Sequence, residues 1–514
     1  MNIQRYLGVR RRRPLVCLGD VGELVPGKSS AFDKAMPENY PLRRSARKWW
    51  EWDYIAECAE QLGVLAPTTT AVGLGAGNEP LIFYFADKCQ RVIASDLYSP
   101  NTAWREARFA DTSHILDASP IPYPRSRVEL LNADMRQTGL PEQSIDFVWS
   151  CSSIEHVPTL ADLFAVFKEI DRIVRIGGYA ILTTEYCITE NPYLLPGVNA
   201  WNAEIYDLMV RSLPGWEIVG EVDLSFNSLH PANAPRPRRY PPSSGSIGPL
   251  GQIPHFFPSG TMANLVGLSV IAPLGIVFRK ASHGGVLEWR QADVPERLRT
   301  FTDGMLAFFA ADNDAACHKL GAIYSSAVDD LQLRHLAFRF LIDARARRGE
   351  MRNSGEFADG IELFLDNTPP GPVQDADCLD LCGYLLAECG RIEAALLTYE
   401  RCLVSPSTSR DHVLELAVRY LALAARNGPT ARAVERVSAA LDDLLRFGDS
   451  SREIQQQFFK PASDKLPAAI IDDLRAAITQ DRAQTEELSK WAITCRNLRF
   501  RKRRKAGSAN LECA

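Results

Sequence analysis

None of the 12 cysteines in the 514-residue sequence forms a CxxC pair. That spacing argues against a zinc-ribbon or disulfide framework and for a reducing, cytoplasmic compartment. Cys378 and Cys382 share a helical face, but no His or CxxC partner lies close by, so they read as small core residues and no metal site is expected. An excess of basic residues is missing too. Lys and Arg number 58 against 63 Asp and Glu, so bulk charge does not point to nucleic acid. Arg10–Arg13 have no apolar stretch behind them of signal-peptide length. The one long uncharged run, Gly260–Phe278, is broken by Asn264, Gly267, Pro273 and Gly275 and reads as buried strand and turn rather than a membrane span. With 46% hydrophobic and 24% charged residues, the chain has material for about three domains and at least one large core.

From Arg43 to Leu65 apolar residues recur at helical spacing, including Trp49, Trp52 and Ile55. Trp49, Trp50 and Trp52 could pack a core or close a ligand pocket. Short apolar runs then alternate with helical stretches: Thr69–Leu74, Arg91–Ser95, Arg127–Leu131, Ile145–Ser150 and Gly178–Thr184. Such alternation predicts a parallel sheet covered by helices on both faces. A helix around Trp201–Leu213, a strand at Trp216–Leu224, a Pro-rich loop and a last strand at Leu274–Lys280 complete the pattern. From Val286 to Ile478 the composition is helical, and LDLCGYLLAECGRIEAALLTYERCLVSP resembles a tetratricopeptide repeat at Leu379, Gly383, Gly390, Ala395, Tyr399 and Cys402, with Pro406 one residue early. The expected divisions are an extension at 1–42, an α/β domain at 43–282, a helical domain at 286–480 and a basic tail at 481–514. The tail reads as solvated, or as a peripheral anchor for anionic lipid or polyphosphate.

The chemistry begins at TTAVGLGAGNEP. A strand runs into Gly73-Leu74-Gly75-Ala76-Gly77 and a helix is expected near Asn78, the arrangement that brings a ligand against backbone N–H groups at a helix start. Asp96 ends the second strand about 20 residues on, where a carboxylate can accept from two ribose hydroxyls. Asp134 follows the third strand, placed to accept from an adenine amino group, with Met135 beside it to pack on the ring.

The series AVGLGAGNEP, ASDLY, NADM, IDFVWSCSSIEHV and RIVRIGGYAILTT resembles class I S-adenosylmethionine-dependent methyltransferases over about residues 49–280. The resemblance implies a Rossmann-like seven-stranded sheet with an antiparallel last strand, here followed by an all-α helical-repeat domain. It implies S-adenosyl-L-methionine as cofactor, with Gly73, Gly75, Gly77, Glu79, Asp96, Leu97, Asp134, Met135 and Ser150 around it. A nicotinamide dehydrogenase would share the glycine loop and Asp96 but not the later motifs. The sequence departs from the family where Gly73 replaces the usual acidic residue. Glu79 either takes over the contact to the cofactor's amino group or is a first-turn acid on the helix dipole.

Methyl transfer from a sulfonium needs alignment and a dry pocket, and a hydroxyl acceptor adds the need for a base. His156 and Glu185, after the fourth and fifth strands, are the catalytic candidates; His156 could equally be a residue that orders its turn. Variable loops carrying Trp104, Arg105, His114, His230, Arg239 and His255 would meet the acceptor. By analogy with bacterial surface-polysaccharide methyltransferases of similar layout, a saccharide or other small molecule is the expected acceptor, with a protein partner on the helical repeats. RNA or protein acceptors, and a non-catalytic cofactor-binding scaffold, are the alternatives.

Overall fold

The computed structural model describes residues 15–20, 30–40, 46–100, 107–108, 112–188, 193–195, 198–226, 236–238, 264–266, 269–286, 294–327, 330–352, 354–367, 376–405, 410–428, 430–446, 462 and 466–476. Expectations placed on Arg10–Arg13, Trp104, Arg105, His230, Arg239, His255, Pro406 and the tail lie outside them. The chain divides into two compact units, Met1–Arg352 and Asn353–Ala514.

In the first unit the strands are Val16–Leu18 (β1), Thr70–Leu74 (β2), Arg91–Asp96 (β3), Val128–Asn132 (β4), Ile145–Cys151 (β5), Val174–Cys187 (β6), Tyr193–Leu195 (β7), Val198–Ala200 (β8), Trp216–Ile218 (β9), Val222–Asp223 (β10), Arg236–Arg238 (β11), Asn264–Val266 (β12) and Ser269–Lys280 (β13). Its helices are Ala31–Ala35 (α1), Ala46–Gln61 (α2), Leu81–Lys88 (α3), Ser113–Asp117 (α4), Leu160–Ile173 (α5), Ala203–Arg211 (α6), Glu296–Phe309 (α7), Asn313–Ser326 (α8) and Leu331–Arg347 (α9). The main sheet runs in the order β10-β1-β13-β6-β5-β2-β3-β4. Strands β4, β3, β2, β5 and β6 are mutually parallel, and β13 is antiparallel to β6 over Ile271–Arg279.

Side chains of the parallel strands alternate between two cores, as a sheet covered on both faces requires. Val72, Leu74, Ile93 and Val148 meet Leu163, Phe167 and Ile205 of α5 and α6 on one face. Ala71, Val92, Phe147 and Trp149 meet Tyr54, Ile55, Ile82 and Phe85 of α2 and α3 on the other. Helix α5 starts at a reciprocal cap, in which Thr159 accepts from the Asp162 N–H and Asp162 accepts from the Thr159 N–H.

Three expectations are corrected. Among the described residues the sheet has 11 strands rather than seven, because the outer edge of the long β13 accepts β9, β1 and β12 in succession along its length. The N-terminal extension is not outside the fold: β1 pairs antiparallel with β13 and parallel with β10. The helix after the glycine loop begins at Leu81 rather than near Asn78, following a turn in which the Glu79 N–H donates to the Ala76 carbonyl.

The second unit is helical: Ser354–Asp366 (α10), Ala376–Glu388 (α11), Ile392–Leu403 (α12), Arg410–Asn427 (α13) and Thr430–Arg446 (α14). Helices α11 and α12 form a hairpin through Gly390, with Gly383 against the Tyr399 ring and Leu379, Ala395 and Cys402 buried. Among the described residues no helix is long and apolar enough to cross a membrane.

The first unit continues past residue 282. Phe301, Met305, Phe308, Leu320 and Leu336 of α7–α9 form one apolar cluster with Cys187, Ala200 and Ile271 of the sheet region. A fragment ending at 282 would expose that patch to water. It is expected to aggregate or to unfold at lower temperature than a fragment ending at 352, as size-exclusion chromatography and thermal unfolding would show.

Candidate functional site

The parallel strands end side by side, and the chain reverses direction across the sheet between β2 and β5. Open α/β sheets bind ligands at that place, outside the carboxyl ends of their strands. The loop after β2 turns through Gly75 (φ +66°) and Gly77 (φ +50°), in the left-handed region open to glycine. A Cβ on Gly75 would lie 2.5 Å from Ser153 Cβ and 3.1 Å from Met135 Cε, so the glycine lets Ser153 and Met135 close in on the loop. Ser153 Oγ closes one side by donating to the Gly75 carbonyl at 2.9 Å.

Asp96, at the end of β3, reaches into the same place. One carboxylate oxygen accepts from the Gly77 N–H at 2.8 Å, the other from the Leu97 N–H at 2.7 Å. Tyr98 donates to the Gly77 carbonyl at 2.8 Å and fixes the far side of the turn. Leu97, 55% exposed despite its apolar side chain, stands next to this carboxylate. Asp134 is less open than its position suggested: Arg136 grips both of its oxygens and holds it below the usual carboxylate range, while also bonding Asp162. A carboxylate offers about four acceptor directions, so room for a further donor remains.

Three expectations about the cofactor residues change. A Cβ at Gly73 would meet the Trp149 indole at 2.4 Å, so this glycine makes room for a core side chain rather than for a ligand. Ser150 is fully buried and its hydroxyl donates to the Leu74 carbonyl at 2.8 Å, tying β5 to β2; it has no surface to offer a cofactor. Glu79 is not a solvated first-turn acid. It is buried, accepting from Trp52 Nε1 at 3.1 Å and Trp149 Nε1 at 2.5 Å.

A second polar group lies at the ends of β5 and β6, assembled by the start of α2. Arg47 pairs with Glu185 and with Glu51 (3.2 Å), and Lys48 pairs with Glu51 at 2.6 Å. Burial alone would raise the Glu51 carboxyl, but Lys48 and Arg47 outweigh it and hold it low. Glu185 is thus one half of a buried ion pair, not a base open to an acceptor. Glu155 is fully buried and accepts from Thr184 Oγ1 at 3.3 Å; burial, then the charge of Glu185, push it well above the carboxylate range. His156 closes the turn Ile154–His156, with Nε2 4.0 Å from Glu155 Oε1. Arg47 and Lys48 carried no motif, and only the helical spacing of α2 hinted that its first turn faces the sheet; Trp149 lay inside IDFVWSCSSIEHV with no role of its own assigned. Among the described residues no three His, Cys, Asp or Glu side chains are grouped to hold a metal.

Residues 72–182 match the protein family described as a methyltransferase domain. They form a methyltransferase domain. The donor set suits S-adenosylmethionine as cofactor: the exposed apolar side chain of Leu97 flanks the Asp96 carboxylate, which has lone pairs to spare. No curated protein matches the chain in sequence. Among solved structures the chain is similar to a putative sarcosine dimethylglycine methyltransferase from Galdieria sulphuraria, at 14% identity and TM-score 0.26 over 33% of this chain and 61% of that one. It is also similar to the 1,6-didemethyltoxoflavin-N1-methyltransferase of Burkholderia thailandensis, at 14% identity and TM-score 0.28 over 44% of this chain and 76% of the other. A third is an arsenic(III) S-adenosylmethionine methyltransferase from Chlamydomonas reinhardtii, at 14% identity and TM-score 0.26 over 44% and 67% of the two chains. The matched part thus spans less than two thirds of the first of these relatives.

Two substitutions test the geometry of the domain. Asp96→Ala should weaken S-adenosylhomocysteine binding by about 1–3 kcal/mol in calorimetry, the loss of a charged hydrogen-bond acceptor. Restoring the family's acid with Gly73→Asp should lower stability by about 1–3 kcal/mol in denaturant titration, because the new side chain collides with Trp149.

Proposed function

We propose that the protein moves a methyl group from S-adenosylmethionine to a hydroxyl on a saccharide or another small molecule, in a reducing cytoplasmic compartment, with its helical region as an interaction module. The observation that carries the reading is the convergence of Gly75, Gly77, Asp96 and Met135 at the strand ends. The cofactor, when bound, supplies a methyl group on a sulfonium that needs little activation. Asp96 would hold the ribose hydroxyls, Leu97 and Met135 the faces of the base, and Asp134 its amino group.

What the chain adds is position and a proton acceptor. Trp49, Trp50 and Trp52 of α2 pack in the core beneath the site, and Trp52 reaches Glu79 through its indole N–H. His156 is the group suited to take the acceptor proton, since imidazole titrates near neutrality and Glu185 is held by Arg47.

Incubation with cofactor labelled at the methyl group and fractionated cell extract should place label in the saccharide or small-molecule fraction. Label in RNA or protein would overturn the acceptor, and cofactor binding without any transfer would favour a scaffold. His156→Ala should lower kcat by about 10²-fold or more while leaving the Kd for S-adenosylhomocysteine unchanged.

A further inference from the structure

Glu79 is a buried carboxylate without a cation. It is 8% exposed, and among the described residues no Lys, Arg or His lies within ion-pair distance of it. Two indole N–H groups are its hydrogen-bond donors, Trp52 from α2 and Trp149 from β5. Burying a charge on neutral donors alone is costly. Burial accordingly pushes the Glu79 carboxyl up to about 7, against the pull of Trp149, Lys48, Trp52 and Cys151. Burial and then the charge of Glu79 raise the Tyr40 hydroxyl, burial and then the charges of Asp96 and Glu79 raise that of Tyr98, and Lys48, whose charge also reaches Glu79, is engaged by Glu51 at 2.6 Å. The site is therefore built for a positive charge that the chain does not supply.

The reason lies one strand away. The end of β2 cannot carry a carboxylate, since any Cβ at Gly73 meets the Trp149 indole. The same indole turns its N–H onto Glu79, six residues further along and beside the Gly75–Gly77 turn. Filling position 73 and orienting Glu79 are one act of packing.

We propose that Glu79 binds the ammonium of the cofactor's methionine end, in place of an acid at position 73, and that Trp149 and Trp52 are positioning residues acting through it. The inference rests on the cofactor reading above. Binding of the ammonium favours ionised Glu79, so a proton leaves as the ligand enters and affinity rises with pH through neutrality.

Calorimetry on the full chain with S-adenosylhomocysteine and its deamino analogue, which keeps the carboxylate, tests the assignment. Wild-type protein should prefer the amino compound by about tenfold or more, the scale of one charged hydrogen-bond pair. Glu79→Gln should bring the two ligands to within about twofold by weakening only the amino compound, and should flatten the rise in its affinity between about pH 6 and 8. Should that variant not fold, Trp149→Phe, which removes the donated N–H, should narrow the same preference. A wild type that does not discriminate, or a variant that weakens both ligands equally, overturns the inference. A wild type that binds neither overturns the cofactor reading, and this assignment with it.

Discussion

The Trp149 indole fills the space where a side chain at Gly73 would stand, and that contact governs how the crevice can hold charge. Its ring packs edge-on against Phe85 and lies beside Phe147, inside the core beneath α3. Its N–H emerges at the strand ends and meets Glu79. An aromatic group with an apolar body and one polar edge can serve both places at once. Packing of the core and placement of a carboxylate at the site are consequently inseparable in this chain.

Around that point the strand ends divide into two chemically different halves. On the β2–β3 side the polar groups are backbone N–H donors, the Asp96 carboxylate and apolar surface from Leu97 and Met135, a setting for a nucleoside. On the β5–β6 side four ionisable side chains meet out of water: Arg47, Glu51, Glu155 and Glu185. Buried pairs of this sort add little net stability, because desolvation offsets attraction. What they fix is the seat of α2 on the sheet, and with it Lys48 and Trp52 next to Glu79. The N-terminal helix thereby supplies one of the two indole N–H groups on Glu79.

Local features of the sequence carried much of this. The apolar runs of β2, β3, β5 and β6 are short and bounded, the glycine loop follows β2, and Asp96 closes β3, so these strands and the meeting of the glycine loop with Asp96 were legible from spacing alone. β1 escaped notice because Val16–Leu18 is three residues long and is defined by its partners on β13 and β10 rather than by any pattern of its own. The pairing of Trp149 with Glu79 spans 70 positions and that of Arg47 with Glu185 joins a helix to a strand far along the chain; neither has a local signal. Ser150 sits in the right motif, yet its place within β5 turns its hydroxyl into the sheet. The end of the first unit was misplaced for a related reason, since the strand pattern stops near residue 282 while the apolar cluster holding α7–α9 continues. Composition changes at one point and packing at another.

A crystal structure of the protein with S-adenosylhomocysteine bears most directly on the account. The account places the ribose hydroxyls on Asp96, the base between Leu97 and Met135, and the amino group on Glu79 beneath the Trp149 indole. A ligand seated elsewhere, or one whose amino group turns to another residue while Glu79 keeps only its two indoles, would contradict it.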